Sequence, residues 1–141
     1  MKVGFYNGCF DLFHAGHHAA LHACRMHCEF LIVAVNSDAS VRRLKGAGRP
    51  QQDWAIRSGE VMETGLVDAV IPFEGDEMQL LMAIRPDVLF KGYDHTEDAI
   101  YYRKIGWKHR DWPHWEGPQV VRLPMLPGHS TTDRIARDHA T

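Results

Sequence analysis

Several features of other protein classes are missing from this sequence. No apolar run approaches the length of a membrane-spanning helix. The apolar segment at the start, MKVGFYNGCF, is too short and too rich in glycine for a signal peptide. The chain has only three cysteines, an odd number with no disulfide-framework spacing: Cys9, Cys24 and Cys28. These absences predict a cytoplasmic protein that needs neither a membrane nor a disulfide scaffold.

Strong net charge is missing too. The formal net charge is -2 at pH 7, which argues against a nucleic-acid coat, so a phosphate ligand would have to meet a local cluster of cations. No internal repeat, low-complexity tract or linker interrupts the 141 residues. We therefore expect one domain over residues 1–141, large enough to bury its own core.

Apolar runs and helical patterns alternate along the chain, which predicts an α/β fold. Strands separated by helices pair in parallel, so we expect a Rossmann-like, three-layer α/β/α sandwich around a parallel five-stranded sheet. Polar segments follow four of the strands and should meet at one edge of the sheet, where such folds bind ligands. The predicted strands are Val3–Asn7, Phe30–Val35, Ala69–Pro72, Val88–Lys91 and Gln119–Leu123, and the predicted helices are Ala15–Cys28, Asp53–Thr64, Asp76–Ile84 and one that begins near Ser130.

The turn after the first strand carries the clearest functional pattern, NGCFDLFHAGH. Gly8 allows a ligand to approach the backbone, and the following helix offers unpaired N–H groups to an anion. His14 and His17 are three residues apart at that helix start, so both rings can face one phosphate chain, and Gly16 leaves room for it. A metal-binding histidine pair and a helix start that is rich in histidine by chance are the alternatives.

Two further polar segments admit both a functional and a plain interpretation. Arg42, Arg43 and Lys45 fall in a predicted basic loop after the second strand, although a charge run is usually a solvated surface. Ser130 and Thr131 are suited to cap the last helix, and the same helix start could also bind the β- and γ-phosphates of a nucleotide.

The turn resembles the signature of the cytidylyltransferase-like nucleotidyltransferases over eleven consecutive residues. The segment VAVNSDASVRRLKG, which starts at Val33, is similar to the heptose-1-phosphate adenylyltransferase domain of bacterial ADP-heptose synthesis enzymes. Arg49-Pro50, Arg57, Lys91-Gly92 and the Ser-Thr-Thr run from Ser130 follow in that family's order. The resemblance covers nearly the whole chain and weakens between Tyr93 and Leu126.

The resemblance implies a direct in-line displacement, in which a phosphate oxygen of the acceptor attacks the α-phosphorus of an NTP and pyrophosphate leaves. It implies Mg²⁺ bound mainly through the NTP phosphates, with no protein metal ligand assigned. It also implies a homodimer. In the resembling enzymes this domain is often fused to a sugar kinase, and since it stands alone here we expect a separate kinase to supply the acceptor if the heptose hypothesis holds. The expected catalytic residues are His14, His17 and Lys45; the expected nucleotide-binding residues are Gly8, Cys9, Phe10, Gly16, Lys91, Asp94, Ser130, Thr131 and Thr132; the expected acceptor-binding residues are Asp11, Asp38, Arg42 and Arg57, of which Asp11 is better suited to stabilise its turn than to act as a base.

The sequence departs from that family at three places. Tyr93 replaces a usual glycine, Ala55 replaces a usual acidic residue, so that Arg57 must have another partner, and the tryptophan-rich stretch 107–118 matches poorly. This stretch could be an acceptor-binding lid or an aromatic surface that packs on the core or on a dimer partner. These departures leave the identity of the acceptor open.

Three hypotheses remain. The first is an adenylyltransferase that acts on a sugar phosphate such as heptose 1-phosphate. The second is a cytidylyltransferase that acts on glycerol 3-phosphate, whose family commonly has an arginine just before the Ser-Thr-Thr run; its absence here favours ATP over CTP. The third is a nucleotide-binding module without turnover, which would not require all of the catalytic set. A metal site on the first helix, at His18 and His22, is a further alternative to a solvated helix face.

Overall fold

The computed structural model describes residues 1–75, 77–92, 107 and 115–123. Within them, strands and helices alternate as the sequence predicts. The strands are β1 (Val3–Gly8), β2 (Phe30–Asn36), β3 (Ala69–Phe73), β4 (Val88–Lys91) and β5 (Gln119–Arg122), and the helices are α1 (Ala15–Arg25), α2 (Asp38–Lys45), α3 (Trp54–Glu63) and α4 (Glu77–Ile84).

The five strands form one sheet in the order β3-β2-β1-β4-β5. Every pairing is parallel, and β1 is bonded to β2 along its whole length, from Val3 opposite Phe30 to Gly8 opposite Val35. The order of the strands reverses at β1, because β2 and β3 lie on one side of it and β4 and β5 on the other. This reversal point is where open α/β sheets bind ligands, beyond the carboxyl ends of the strands.

Apolar side chains cover both faces of the sheet. On one face, Val33 and Val35 of β2 join a core that includes Leu21 of α1 and Val61 of α3. On the other face, Ala34 packs in a cluster with Leu81 of α4. Successive residues of β2 thus point to opposite layers, as the strand period requires. The predicted three-layer α/β sandwich with a parallel five-stranded sheet is confirmed.

Helix α1 buries Leu21 and Cys24 of the predicted stripe, Cys28 is buried just beyond the helix, and all three cysteines are free thiols. The helix ends at Arg25 rather than at Cys28, because the N–H group of Met26 already closes the last turn. The chain then brings Cys28 against Gly4 of β1, where an added Cβ would lie 2.7 Å from the Cys28 Sγ. A side chain at position 4 would therefore push α1 and the sheet apart.

The predicted basic loop is wrong where it contains Arg42, Arg43 and Lys45, because Asp38–Lys45 forms α2. Ser37 caps the helix by accepting a hydrogen bond from the Ser40 N–H (3.1 Å). Asp38 in the first turn and the basic residues of the last turn match the helix dipole. Local capping and charge thus outweigh the loop-like composition.

No helix in the described part of the chain is both long and apolar enough to cross a membrane. The predicted helix near Ser130 and the residues Tyr93, Asp94, Thr131 and Thr132 lie outside the described residues.

Candidate active site

Three of the predicted polar segments begin at the same edge of the sheet. Gly8, Asn36 and Lys91 are the last residues of β1, β2 and β4, which run parallel and adjacent. The turn before α1, the start of α2 and Gly92 therefore lie side by side. The convergence predicted for these three segments is confirmed.

The turn from Gly8 to His14 has a strained and specific backbone. Phe10 and Leu12 both adopt positive φ angles, 53° and 57°, which side chains other than glycine rarely take. This conformation folds the Phe10 ring back into the core, where it is 2% exposed. An added Cβ on Gly8 would lie 2.9 Å from the Phe10 Cε2, so glycine is required here by the ring. Backbone strain of this kind concentrates at functional sites.

The two histidines are held by reciprocal hydrogen bonds at the start of α1. The Gly16 N–H donates to His14 Nδ1 (3.1 Å), and the His14 N–H donates to His17 Nδ1 (3.2 Å). The rings stack with their centroids 3.7 Å apart. Because each Nδ1 accepts a hydrogen bond, the neutral ring carries its proton on Nε2. Two Nε2–H donors are thus fixed close together at a helix N-terminus.

Asp11 organises the segment that faces this turn. Its carboxylate is buried and accepts hydrogen bonds from Arg49 Nε (2.7 Å), the Gln51 N–H (2.8 Å) and the Gln52 N–H (3.0 Å). Burial raises the pKa of Asp11, but these hydrogen bonds outweigh burial and hold the pKa below its usual value. The expectation that Asp11 stabilises the turn is confirmed. Its contact with an acceptor stays a prediction.

Arg57 ties three segments together from a fully buried position. Its Nε donates to the Gln52 carbonyl (2.9 Å), its Nη1 to the Cys9 carbonyl (2.6 Å) and its Nη2 to Asp38 Oδ1 (2.6 Å). The acidic partner that Ala55 cannot provide is therefore Asp38, at the start of α2. The acceptor-binding role predicted for Arg57 and Asp38 stays a prediction, and their direct partners here are each other and the backbone.

The basic side chains of α2 are exposed, and Arg43 and Lys45 act on different parts of the molecule. Arg43 Nη2 donates to the Glu74 carbonyl (2.9 Å), which follows β3 and lies away from β1. Lys45 instead acts on Cys9: burial raises the pKa of the Cys9 thiol, and Lys45 is the cation that opposes this rise most. Lys45 thus acts electrostatically on the β1–α1 turn, and its catalytic role stays a prediction. Arg42 is exposed on the same helix.

Lys91 has a partner that the sequence analysis did not identify. Its Nζ lies 2.6 Å from both carboxylate oxygens of Glu77, and Lys91 is 4% exposed. Glu77 is the first residue of α4, so the pair joins the ends of β4 and α4. The one sequence signal for this ion pair is that Glu77 is an acidic residue in the first turn of a predicted helix. Nucleotide binding by Lys91 stays a prediction.

Among the described residues, no three His, Cys, Asp or Glu side chains group closely enough to hold a metal ion. His18 and His22 are exposed on α1.

The sequence profile of the cytidylyltransferase-like family matches residues 5–136. The chain belongs to this family, and it is a nucleotidyltransferase with a Rossmann-like fold. It is 47% identical over 137 residues to the bifunctional protein HldE of Acidiphilium cryptum, covering 96% of this chain and 27% of that protein. It is 44% identical over 138 residues to the HldE of Mesorhizobium japonicum, covering 97% of this chain and 26% of that protein. The chain thus spans about a quarter of the length of these relatives.

Solved structures agree with this assignment. The lipopolysaccharide core biosynthesis protein of Thermoplasma volcanium superposes with a TM-score of 0.73 at 26% identity, covering 89% of this chain and 98% of that one. Pantothenate synthetase of Thermus thermophilus superposes with a TM-score of 0.60 at 17% identity, covering 89% of this chain and 56% of that one, and shows the shared fold.

Proposed function

We propose that this nucleotidyltransferase transfers AMP from ATP to a sugar phosphate, such as heptose 1-phosphate, and releases pyrophosphate. The observation that carries the proposal is the pair of fixed Nε2–H donors of His14 and His17 at the start of α1. The resemblance to heptose-1-phosphate adenylyltransferase domains and the identity with HldE proteins support the choice of substrates. The similar structure named for lipopolysaccharide core biosynthesis supports it as well.

The proposed reaction is an in-line displacement at the α-phosphorus. An acceptor phosphate oxygen forms a new bond to the α-phosphorus, the bond from that phosphorus to the bridging oxygen breaks, and pyrophosphate keeps the electron pair. The acceptor is already an anion, so the protein need not supply a nucleophile or a strong base. His14 and His17 donate hydrogen bonds to phosphate oxygens, and Lys45 adds a positive charge from α2.

Mg²⁺, when bound through the NTP phosphates, would neutralise part of their charge. The donor set fits that mode of binding, because the Asp11 carboxylate beside the turn is already committed to Arg49, Gln51 and Gln52. The sequence expectations of a homodimer and of a cytoplasmic location are kept as part of the proposal.

The test is pyrophosphate release from each of ATP, CTP, GTP and UTP with Mg²⁺, crossed with heptose 1-phosphate, glycerol 3-phosphate and phosphocholine. We expect release only with ATP and heptose 1-phosphate, and its loss in the His14→Ala and His17→Ala variants. Release with CTP and glycerol 3-phosphate would show that both proposed substrates are wrong, while the proposed catalytic residues would stand. Nucleotide binding without release from any pair would contradict the proposed turnover and favour a binding module.

A further inference from the structure

One N–H-bearing nitrogen of the Arg49 side chain is buried and has no hydrogen-bond acceptor among the described residues. Its Nε donates to Asp11 Oδ2 (2.7 Å), but its Nη2 is buried and has no hydrogen-bond partner. No other side-chain nitrogen or oxygen in the described part of the chain is buried without a partner. Native proteins rarely keep such a group unless something outside the chain completes it.

The pairing with Asp11 explains why Nη2 is left over. A buried arginine and carboxylate usually form two parallel hydrogen bonds. Here Asp11 Oδ1 is occupied by the Gln52 N–H (3.0 Å), and the Gln51 N–H lies 2.8 Å from Oδ2. A second bond from Arg49 would compete with these backbone donors. Asp11 therefore fixes the arginine through one nitrogen and leaves Nη2 as a donor for another anion.

The position of Arg49 indicates whether this donor meets a phosphate of the nucleotide or the phosphate of the acceptor. The strand order reverses between β1 and β4, so the nucleotide crevice of this fold lies on the β4 side of β1. Arg49 follows α2, the helix after β2, and is tied to the turn after β1. It thus lies on the β2 side, opposite that crevice. An in-line displacement brings the attacking phosphate and the leaving pyrophosphate to opposite sides of the α-phosphorus.

The chain just before Arg49 is exposed and has open space around it. Gly46, Ala47 and Gly48 are exposed, and a Cβ added to either glycine would meet nothing within 4 Å. The Arg49 side chain is 18% exposed, so part of it already meets solvent although Nη2 is buried.

We propose that Arg49 is a phosphate-binding residue that donates from Nη2 to the phosphate of the acceptor. This inference rests on the proposed function for the identity of the acceptor, and on the geometry alone for the binding of a phosphate. Asp11 is the positioning residue that holds Arg49 in place.

The kinetic test compares Arg49→Lys and Arg49→Gln with the wild type. Lysine keeps the charge opposite Asp11 and loses the planar fork, so the protein should fold. We expect the KM for heptose 1-phosphate to rise by about tenfold or more, as for the loss of a charge-assisted hydrogen bond, while the KM for ATP stays within about twofold. Arg25→Lys and Arg25→Gln are the matched controls, because Arg25 also pairs with a carboxylate, that of Asp68 on the surface.

A binding test needs no turnover. Inorganic phosphate is titrated into the nucleotide-free wild type and the Arg49 side-chain N–H signals are followed by ¹⁵N NMR. We expect them to shift with saturation, and phosphate affinity to fall in Arg49→Gln but not in Arg25→Gln. If phosphate binding depends on Arg49 but the protein shows no turnover, the proposed function is wrong and the phosphate-binding role of Arg49 still stands.

Four outcomes would overturn the inference. A rise in the KM for ATP alone would assign Arg49 to the nucleotide phosphates, and an equal rise in both KM values would show that the change is not specific to the acceptor. Unchanged KM values would show that Arg49 only supports the fold. Arg49 signals that do not respond to phosphate would exclude the contact directly.

Discussion

The β1–α1 turn and the end of α2 both present positive or proton-donating groups to the same edge of the sheet, but they hold them differently. In the turn, each histidine has its Nδ1 bonded to a backbone N–H, and the rings stack at 3.7 Å. At the end of α2, Lys45 is exposed, takes part in none of the ion pairs between described residues, and is followed by Gly46 with a φ of 101°. One region is fixed and the other is adaptable.

This difference separates two tasks of a phosphoryl-transfer site. Donors that are fixed before the reaction stabilise developing charge without reorganisation. A long cation on a less constrained segment can adjust its position as charge is redistributed around the phosphorus. Arg57 links the two regions, since it contacts the Cys9 carbonyl in the turn and Asp38 at the start of α2.

The largest expected effect is the loss of activity when a histidine of the β1–α1 turn is replaced without unfolding the turn. In His14→Asn the amide oxygen can still accept the Gly16 N–H, because asparagine is a good N-cap, but the Nε2 donor is lost. We expect kcat to fall by about 10² to 10³-fold, with a melting temperature close to that of the wild type. His14→Ala should lose the same activity and in addition about 1 kcal/mol of stability, measured by urea unfolding. An active His14→Asn enzyme would contradict the role of Nε2.

Breaking the link between the regions comes next. Arg57→Lys cannot replace three donors in a buried fork, so we expect the free energy of unfolding to fall by about 3 kcal/mol. Asp38→Asn is the control. Its side chain is 43% exposed and the asparagine oxygen can still accept from Arg57 Nη2, so this change should cost less than Arg57→Lys. Equal losses in the two variants, measured by urea unfolding, would show that Arg57 does not bridge the turn and α2.

The adaptable region is probed by Lys45→Ala. Because the side chain is exposed, we expect the free energy of unfolding to change by less than about 0.5 kcal/mol. The loss of a cation at the phosphates should lower kcat by about 10 to 100-fold, and Lys45→Arg should restore part of it. A variant with unchanged kcat would place Lys45 among ordinary surface charges.

The smallest effect concerns acid stability. The pKa of Asp11 is lower in the folded protein than its ordinary value of 3.8, so its ionised form stabilises the fold above that pH. This contribution is lost as the pH falls through the folded pKa. Asp11→Asn should therefore be less stable than the wild type at pH 7, and the difference should shrink below pH 3.8. Unfolding curves from pH 7 to pH 2 measure it, and a difference independent of pH would contradict the assignment.

Local sequence patterns predicted the sheet and the histidine turn well, because both depend on short-range periodicity and spacing. Helix α2 was missed since its charges, and Gly46 and Gly48 just after it, are typical of a loop, whereas the Ser37 cap favours a helix. The partners of Asp11 and Arg57 were not predictable in the same way. Asp11 meets Arg49 across 38 residues, and Arg57 meets Cys9 across 48. Such contacts exist only once the strands are paired.

The most direct test of the central claim is ³¹P NMR of the protein with ATP, Mg²⁺ and heptose 1-phosphate. The proposed displacement predicts equal amounts of pyrophosphate and of a new sugar diphosphate that contains the α-phosphorus of ATP, both absent with His14→Asn. Formation of ADP or orthophosphate, with the sugar phosphate left unchanged, would contradict transfer of the nucleotidyl group to this acceptor.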